Sequence, residues 1–492
     1  MNSPVDSVDD VPAEYRREKV RVGKVPVSTK LFQGIGALPG SHKDLAFNTF
    51  LLLYYSQILG VPATSASIVL AIALVVDAIT DPLVGAYSDN FRSRFGRRHL
   101  FMYAAAIPLG LFMFLLFSPP AGASTALLTG WLLTFTLLVR FAFTFFVIPW
   151  NALAAEYSQD YVERTSIITY RMLVGWTGGL AFIFLVYTFV FPGSEQYEKG
   201  QLDPRNYPLF AIVLGLVIPI WCLLTTHLTR REIPYLLQPV KPTPRLQFKE
   251  LLGQILLAFR SPNFRRVFVA FMLFSGIAGI NGVFDIYMNT YFWEFGTGEL
   301  RWFGFVLIGA LLAFAVIPLL QRRFEKQSIL VVALATSLAF GMLKVALRFA
   351  DVLPDNGDPL LLVLFVIHAS VIVALVTIAG IMFSSMMADL VDEQEVRMKI
   401  RQEGVFTSSI GFAGKSVSSI GLIVGGLLLD LVIRFPRQSL PGEVDADTLF
   451  RLAFIDGIAI PALFVIPIYL LTRYSLTRLQ LEGIQSELGR RA

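Results

Sequence analysis

The sequence is dominated by long apolar runs, each near the length that a helix needs to cross a lipid bilayer. About twelve runs of roughly 20 or more mostly apolar residues can be recognised, at 31–59, 64–88, 99–117, 124–153, 166–191, 207–228, 264–292, 301–320, 327–348, 359–388, 404–433 and 450–472. The runs are continuous, whereas the strands of a membrane barrel alternate between apolar and polar residues. The sequence therefore predicts an all-α membrane protein with about twelve transmembrane helices.

The composition agrees with this prediction and excludes several other classes of protein. Hydrophobic residues make up 55% of the chain and charged residues only 16%, and the mean hydropathy is +0.64. Soluble domains carry about 25% charged residues on average. The net charge of +5 is spread over the loops, so it does not indicate nucleic-acid binding. A single cysteine, Cys222, and four scattered histidines offer neither a disulfide framework nor a metal cluster.

A polar stretch at 229–263 separates the first six runs from the last six. We expect a cytoplasmic N-terminal tail without a signal peptide, two six-helix bundles joined by a cytoplasmic linker, and a cytoplasmic C-terminal tail. In order, these are residues 1–30, 31–228, 229–263, 264–472 and 473–492. Within the linker, residues 246–259 fit an amphipathic surface helix as well as a solvated connection. Lysine and arginine gather in alternate loops, which predicts that both termini are cytoplasmic.

The two halves share a weak internal repeat. An acidic residue follows the fourth run (Glu156) and the tenth run (Asp389), and further charged residues come after each of them. Two similar halves around a central cavity are typical of secondary transporters that work by alternating access. The sequence has no Walker A motif, no GxSxG elbow and no HExxH motif, so neither an ATP-driven pump nor these hydrolases are indicated.

Two carboxylates stand one helical turn apart in the second run, at Asp77 and Asp81. An ionisable group in a span costs about 2.5–3.5 kcal/mol, so it usually faces a cavity and has a function. A bound Na⁺ or a shared proton would remove the repulsion between the two carboxylates. Hydroxyl oxygens suit hard cations, and Thr80 and Thr144 are the predicted additional ligands. The alternative is that one aspartate pairs with a basic residue of another helix, and Arg140 is a candidate partner.

Further charged residues divide between possible substrate contacts and structural pairs. Arg171 and Lys415 either line the cavity or pair with acidic residues, and Asp285 and His368 fit buried, satisfied polar groups better. The loop after the second run predicts a latch on the inner side, with a glycine that permits a tight turn and an aspartate that can pair with an arginine. Its residues are Asp89, Arg94, Gly96, Arg97 and Arg98. The alternative for this loop is a simple positive-inside connection.

Three segments carry a resemblance to a known family. They are DAITDPLVGAYSDNFRSRFGRR (77–98), IPWNALAAEYSQDYVERT (148–165), and ADLVDEQE (388–395) with RQEGVFTSSIGFAGK (401–415). They resemble the glycoside–pentoside–hexuronide:cation symporters, which include the melibiose permeases and, more distantly, the animal sodium-dependent lysophosphatidylcholine symporters. The resemblance extends over residues 31–472. It implies the major facilitator fold and the symport of a sugar, a glycoside or a related small solute with Na⁺ or H⁺.

The resemblance also implies roles for individual residues. It places Asp77, Asp81 and Thr144 in the family's cation site, with Thr80 where melibiose permeases have asparagine. It matches Arg171 and Lys415 to basic residues of the fifth and eleventh helices. The sugar site departs from the pattern: the positions of two aspartates and a tryptophan in melibiose permeases are occupied by Ser41, Val147 and Asn151. Trp150 is adjacent to the last of these, and Asp44 could take the first position only with a three-residue shift, so galactoside recognition is not implied.

We therefore expect a secondary transporter, not an enzyme, in the cell inner membrane. Its predicted substrate-binding residues are Val147, Trp150, Asn151, Arg171 and Lys415. It would work as a monomer in the lipid bilayer on a small-molecule substrate, without nucleic acid, cofactor or any metal beyond the coupling ion. The alternatives are a cation-coupled transporter of an anionic or amphiphilic solute such as a lysolipid, and an H⁺-driven efflux carrier.

Overall fold

The computed structural model describes residues 15–16, 19, 21, 23–91, 93, 95–158, 161–236, 238–239, 259, 261–398 and 403–489. Helices account for nearly all regular structure in these ranges, and the strands Tyr15–Arg16 and Gln238–Pro239 form one short antiparallel pair. Eleven helices of the described part are long and apolar enough to cross a membrane. The prediction of an all-α membrane protein is confirmed.

The helices that matter below follow the predicted runs closely. They are α1 (Val27–Ile35), α2 (Leu38–Leu45), α3 (Ala63–Asn90), α4 (His99–Leu116), α5 (Thr125–Glu156), α6 (Tyr161–Leu185), α7 (Tyr207–Thr229), α8 (Pro262–Tyr287), α9 (Leu307–Arg323), α10 (Lys326–Phe349), α11 (Pro359–Met398), α12 (Glu403–Leu427), α13 (Ala446–Phe454), α14 (Val465–Thr472) and α15 (Arg478–Gly489). Several of them continue as π-helical turns, for example Val186–Val190 after α6 and Leu428–Ile433 after α12.

The first predicted span is helical but interrupted. A turn at Gly36 separates α1 from α2, and the π-helical segments Ala46–Leu51 and Tyr54–Ile58 follow α2. Pro39 stands in the first turn of α2, where its missing N–H costs no helical hydrogen bond. These breaks explain why the segment is not among the eleven long helices.

The chain divides into two compact units. One comprises Met1–Leu51, Val76–Phe191 and Asp203–Leu246, and the other comprises Leu52–Val75, Pro192–Leu202 and Gln247–Ala492. The division falls inside α3. The predicted tails, bundles and linker stay a prediction, and residues 246–258 of the predicted surface helix lie outside the described residues.

Small residues bring helices close together inside each unit. In the first unit, a Cβ added at Gly110 of α4 would lie 2.1 Å from Cγ of Pro219 of α7. In the second unit, a Cβ added at Gly421 of α12 would lie 2.2 Å from the carbonyl oxygen of Gly276 of α8. Such close backbone approach is how membrane helices gain packing energy where lipid gives no hydrophobic driving force between them.

The first helix of the described residues begins before the first predicted run. Helix α1 begins at Val27, inside the stretch predicted as tail, and Lys30 is buried. The ammonium of Lys30 lies 3.1 Å from Oε2 of Glu163, which also accepts a hydrogen bond of 3.1 Å from the backbone N–H of Val25. An ion pair to the start of α6 therefore anchors the beginning of α1, which precedes the first apolar run of the sequence. At the other end, α15 occupies most of the predicted C-terminal tail.

Candidate cation and substrate sites

Two helices of the first unit bring two carboxylates and one hydroxyl together. Oγ1 of Thr144 on α5 lies 3.0 Å from Oδ1 of Asp77 and 3.0 Å from Oδ1 of Asp81 on α3. Thr144 is fully buried, and Asp77 is 8% exposed. A hydroxyl has one proton, so it can donate to only one of the two carboxylates at a time. The second oxygen contact favours a proton or a cation within the cluster, since hard cations prefer oxygen ligands.

An arginine also contacts this cluster. Nη1 of Arg140, one turn before Thr144 on α5, lies 3.2 Å from Oδ2 of Asp77. The guanidinium carbon also lies 5.3 Å from the ring centroid of Phe47, in the π-helical segment Ala46–Leu51. The alternative interpretation from the sequence, a basic partner on another helix, therefore describes one of the two aspartates. The charges of Asp77, Asp81 and Arg140 sum to −1.

The fourth predicted ligand points elsewhere. The hydroxyl of Thr80 lies 3.2 Å from the backbone carbonyl of Asp77, one turn earlier in the same helix. Threonine commonly bonds to its own helix in this way. The structure thus brings Asp77, Asp81 and Thr144 together but directs the Thr80 hydroxyl to its own backbone.

The predicted substrate residues of the first unit lie on α5 and α6. The guanidinium carbon of Arg171 is 3.9 Å from the ring centroid of Trp150, and its Nη2 donates to Oδ1 of Asn151. Nε of Arg171 is buried and has no hydrogen-bond partner in the described part of the chain. Val147 is half-buried one turn before Asn151. The group combines an aromatic face, an amide and a guanidinium with an unused donor.

Gln33 holds this group in place, and sequence reasoning missed it. Its side-chain Nε2 donates to the carbonyl of Trp150 at 2.8 Å, and Nε1 of Trp150 donates to the carbonyl of Gln33 at 2.9 Å. The hydroxyl of Tyr157 donates to Oε1 of Gln33 at 3.2 Å. Burial raises the pKa of Tyr157 well above its usual range, so it remains a neutral donor. A glutamine inside an apolar run was the available signal.

The loop between α3 and α4 is tied to both helices and to α5. Arg98 contacts Asp89, donates to Oγ of Ser88 at 2.6 Å and donates from Nε to Glu156 at 3.0 Å. Nη2 of Arg97 lies 2.7 Å from the same glutamate. Arg94, also predicted for the latch, lies outside the described residues.

The turn of this loop depends on its glycine. Gly96 has a φ of +76°, a conformation that strains residues with a Cβ. An added Cβ would also lie 3.3 Å from the side chain of Ile233. Sequence reasoning did not predict Ser88, and it identified Glu156 only through the repeat.

The second unit contains the counterpart that the repeat indicated. Nζ of Lys326, at the start of α10, lies 2.6 Å from Oδ2 of Asp389 on α11. Both acidic residues of the repeat thus pair with a basic residue at the start of another helix. Lys415 lies half-buried on α12, where its carbonyl accepts a hydrogen bond of 2.8 Å from Ser419.

The two weaker candidates in the second unit differ in their surroundings. Nε2 of His368 lies 2.7 Å from the carbonyl of Phe340, which fits a satisfied polar group. Asp285 on α8 is accessible, and its carboxylate interacts with Asn289, Lys344 and Asp456. Lys344 and Asp456, which sequence reasoning did not single out, lie 3.6 Å apart.

Membrane-spanning helices with ionisable groups buried together inside one compact unit are typical of secondary transporters. The family model described as MFS/sugar transport protein matches residues 32–478. The chain belongs to this family, and the expected place among the glycoside–pentoside–hexuronide:cation symporters is confirmed. The protein is a transporter and not an enzyme.

Individual relatives agree with this membership. The uncharacterized symporter YnaJ of Bacillus subtilis is 27% identical over 78% of each chain. The isoprimeverose transporter of Lactiplantibacillus pentosus is 22% identical over 85% of this chain and 83% of its own. The mouse sodium-dependent lysophosphatidylcholine symporter 1 is 29% identical over 33% of this chain and 31% of its own.

The fold also matches solved transporters. The match to a crystal structure of the nucleoside transporter NupG covers 92% of this chain and 99% of the NupG chain. Its TM-score is 0.60, at 14% sequence identity.

Proposed function

We propose that the protein is a symporter that moves a small solute with Na⁺ or H⁺ by alternating access. The contact of one buried hydroxyl, that of Thr144, with both Asp77 and Asp81 carries this proposal. A carboxylate pair inside a span is expensive when it is charged. A cation bound there lowers the cost, so occupancy of the site favours the conformations in which the carboxylates and the hydroxyl stay together.

The proposed coupling ion binds through Asp77, Asp81 and Thr144. Binding of this ion is coupled to binding of the substrate because both ligands contact α5. This helix carries Thr144 at the cation cluster and Trp150 and Asn151 at the substrate group. No other cofactor is part of the proposal. The protein acts as a monomer in the cell inner membrane with both termini in the cytoplasm.

A sugar or glycoside is the first proposed substrate class, in keeping with the isoprimeverose transporter among the relatives. The group of Trp150, Asn151 and Arg171 offers an aromatic face for an apolar sugar face and amide and guanidinium groups for hydroxyls. Pockets with an aromatic wall and a few placed polar groups are typical of small-molecule sites. Val147 and Lys415 are each proposed as substrate contacts.

An anionic or amphiphilic solute is the second proposed class. The unused Nε of Arg171 favours it, since a guanidinium can grip a carboxylate or a phosphate at two points. A lysolipid is one such solute, in keeping with the mouse relative. Lys415→Gln is the matched test, because loss of a direct contact weakens binding of an anionic substrate by about 1.5–3 kcal/mol and that of its neutral analogue far less. Equal losses for both analogues would remove the anionic proposal.

The first experiment is a thermal-shift screen of purified protein against sugars, glycosides, hexuronates and lysolipids, each with and without Na⁺. A substrate that stabilises the protein more in Na⁺ than in choline supports Na⁺ symport, since coupled ligands strengthen each other's binding. Uptake in vesicles then gives the direction of flux. Accumulation of the substrate that is driven by an inward cation gradient supports symport. Expulsion of the substrate that is driven by an inward H⁺ gradient would identify the third alternative, an efflux carrier.

A further inference from the structure

The second unit contains a group of ionisable side chains that the proposed transport function does not use. Its members are Asp285 on α8, Lys344 on α10, His368 on α11 and Asp456 in the π-helical segment Ile455–Ala459. Consecutive spans run in opposite directions, and each of the four residues stands about one to three helical turns from the end of its span on the same side of the unit. The four groups therefore lie at a similar depth, where an ionisable side chain usually has a function.

Lys344 and Asp456 form a charged pair within this group. Nζ of Lys344 lies 3.6 Å from Oδ2 of Asp456, and the two side chains are 24% and 11% exposed. The two segments approach closely beside the pair, because a Cβ added at Gly457 would lie 2.2 Å from the side chain of Val345. The separation of the charges exceeds that of a hydrogen bond, about 2.7–3.2 Å, so the ammonium is free to turn toward another acceptor.

Asp285 is the other acceptor. Its carboxylate interacts with Lys344, with Asp456 and with the side chain of Asn289. The basic member of this set, Lys344, is already paired with Asp456. Asp285 is accessible, and two of its partners stand on other helical segments of the unit, so the carboxylate faces these segments and not lipid. An accessible carboxylate can exchange a proton with water.

His368 borders the group without adding negative charge. Its Nε2 lies 2.7 Å from the carbonyl of Phe340, one turn before Lys344 on α10. A carbonyl only accepts hydrogen bonds, so Nε2 carries the proton and the neutral ring keeps Nδ1 as an acceptor. His368 also interacts with Lys344. With a neutral histidine, the two aspartates and the lysine sum to −1.

From this arrangement we propose that the group is a proton-binding site, in which Asp285 takes up one proton from water and Lys344 pairs with a charged carboxylate. With the proton on Asp285, the charges of Lys344 and Asp456 cancel, and a neutral group costs least within a span. When the proton returns to water, the ammonium lies between two charged carboxylates and turns toward Asp285. The proton thus selects between two arrangements of α8 and α10. The site goes beyond the proposed function, because it belongs to the second unit and needs neither Na⁺ nor substrate.

Proton release from the purified protein tests the site without substrate or gradient. The protein is titrated in Na⁺-free choline chloride from about pH 5 to about pH 8, above the ordinary ionisation range of aspartate near about 3.9. Histidine titrates in the same range, so all comparisons use a His368→Gln background, whose amide keeps a donor for the Phe340 carbonyl. The background should release about one proton more than its Asp285→Asn variant. Asp351→Asn, in a loop outside the spans, is the matched control and should release as many protons as the background.

Two further variants change the neighbours of Asp285 and keep its carboxylate. Asp456→Asn leaves Lys344 to pair with Asp285, so the extra proton should no longer be released in this pH range. Lys344→Gln leaves two carboxylates without their cation, so the proton should bind at least about tenfold more tightly. The double variant Lys344→Gln with Asp456→Asn restores the charge of −1, and it should bind the proton within about tenfold of the background.

A purely structural role for these residues predicts other results. Equal proton release by the background and Asp285→Asn, or release by Asp456→Asn that matches the background, would overturn the proposal. Where Asp285→Asn does not fold, Asp456→Asn and the double variant decide: loss of the proton in the first and its return in the second support the site, and equal release by both contradicts it. Neither result bears on the proposed cation coupling through α3, so failure of this site is distinguishable from failure of the proposed function.

Discussion

Trp150 and Gln33 exchange hydrogen bonds in both directions. The indole Nε1 donates to the Gln33 carbonyl at 2.9 Å, and the Gln33 amide donates to the Trp150 carbonyl at 2.8 Å. Each side chain therefore binds the backbone of the other residue's helix, which fixes α1 against α5 along and around their axes. The same tryptophan carries the guanidinium of Arg171 on its ring. The position of the substrate group thus depends on a buried neutral amide.

Removing this amide should destabilise the protein. Gln33→Leu deletes the donor to Trp150 and leaves the buried hydroxyl of Tyr157 without its acceptor, which costs about 1–3 kcal/mol. The thermal unfolding midpoint in detergent should fall. Adding Tyr157→Phe removes the stranded hydroxyl, so the double variant should lose less than the two single losses combined. A Gln33→Leu protein as stable as the wild type would show that these bonds contribute nothing.

The approach of α1 to α5 depends on a glycine. A Cβ at Gly36 would lie 2.1 Å from Nε1 of Trp150, whereas a Cβ at Gly130 has nothing within 4 Å. Gly36→Ala should therefore displace Trp150, lower the unfolding midpoint and weaken substrate binding. Gly130→Ala is the matched control, and it should be neutral or slightly stabilising because alanine favours helix. Equal behaviour of the two variants would contradict the packing described here.

The two arginines of the loop between α3 and α4 differ in what they contact. Arg98 contacts Asp89, Ser88 and Glu156, whereas Arg97 contacts Glu156. Because a hydrogen bond to a charged group contributes about 1.5–3 kcal/mol, Arg98→Gln should destabilise the protein more than Arg97→Gln. Unfolding midpoints of the purified variants measure the difference. The reverse order would assign the latch to Arg97.

The distribution of lysine and arginine predicts that both ends of the chain are cytoplasmic. Fusions of a reporter that is active only outside the cytoplasm should give no signal at either end. Fusions to a cytoplasmic reporter should be active and serve as the expression control. An external signal from one end would require an odd number of spans.

Hydropathy predicted most of the helices because membrane spans are specified locally. Helix α4, at His99–Leu116, differs by one residue from the predicted run 99–117. The broken first span was not predicted, since π-helical turns such as Ala46–Leu51 leave the apolar pattern unchanged. Its breaks depend on packing against other helices.

The candidate site was predictable only where chemistry made a residue conspicuous. Charge in a span identified Asp77, Asp81 and Arg140, but their pairing is a tertiary contact that no spacing specifies. Gln33 carries no charge and belongs to no periodic pattern or motif, so only the structure shows its role. Thr80 shows the opposite case: its spacing suggested a ligand, and its hydroxyl instead follows the local geometry of the helix.

Symport requires the carboxylates of α3 to couple a cation gradient to uptake. Asp77→Asn and Asp81→Asn each remove one carboxylate of the proposed cation site, so each should weaken cation binding and abolish coupled uptake. Asp351→Asn, in a loop with a positive φ that asparagine tolerates, is the control for the same chemical change outside the spans.

The direct measurement is uptake, driven by a Na⁺ or H⁺ gradient, of the substrate found in the thermal-shift screen, in vesicles matched for protein level. Gradient-driven uptake should be abolished in both α3 variants and retained in Asp351→Asn. Full gradient-driven uptake by both Asp77→Asn and Asp81→Asn would contradict it.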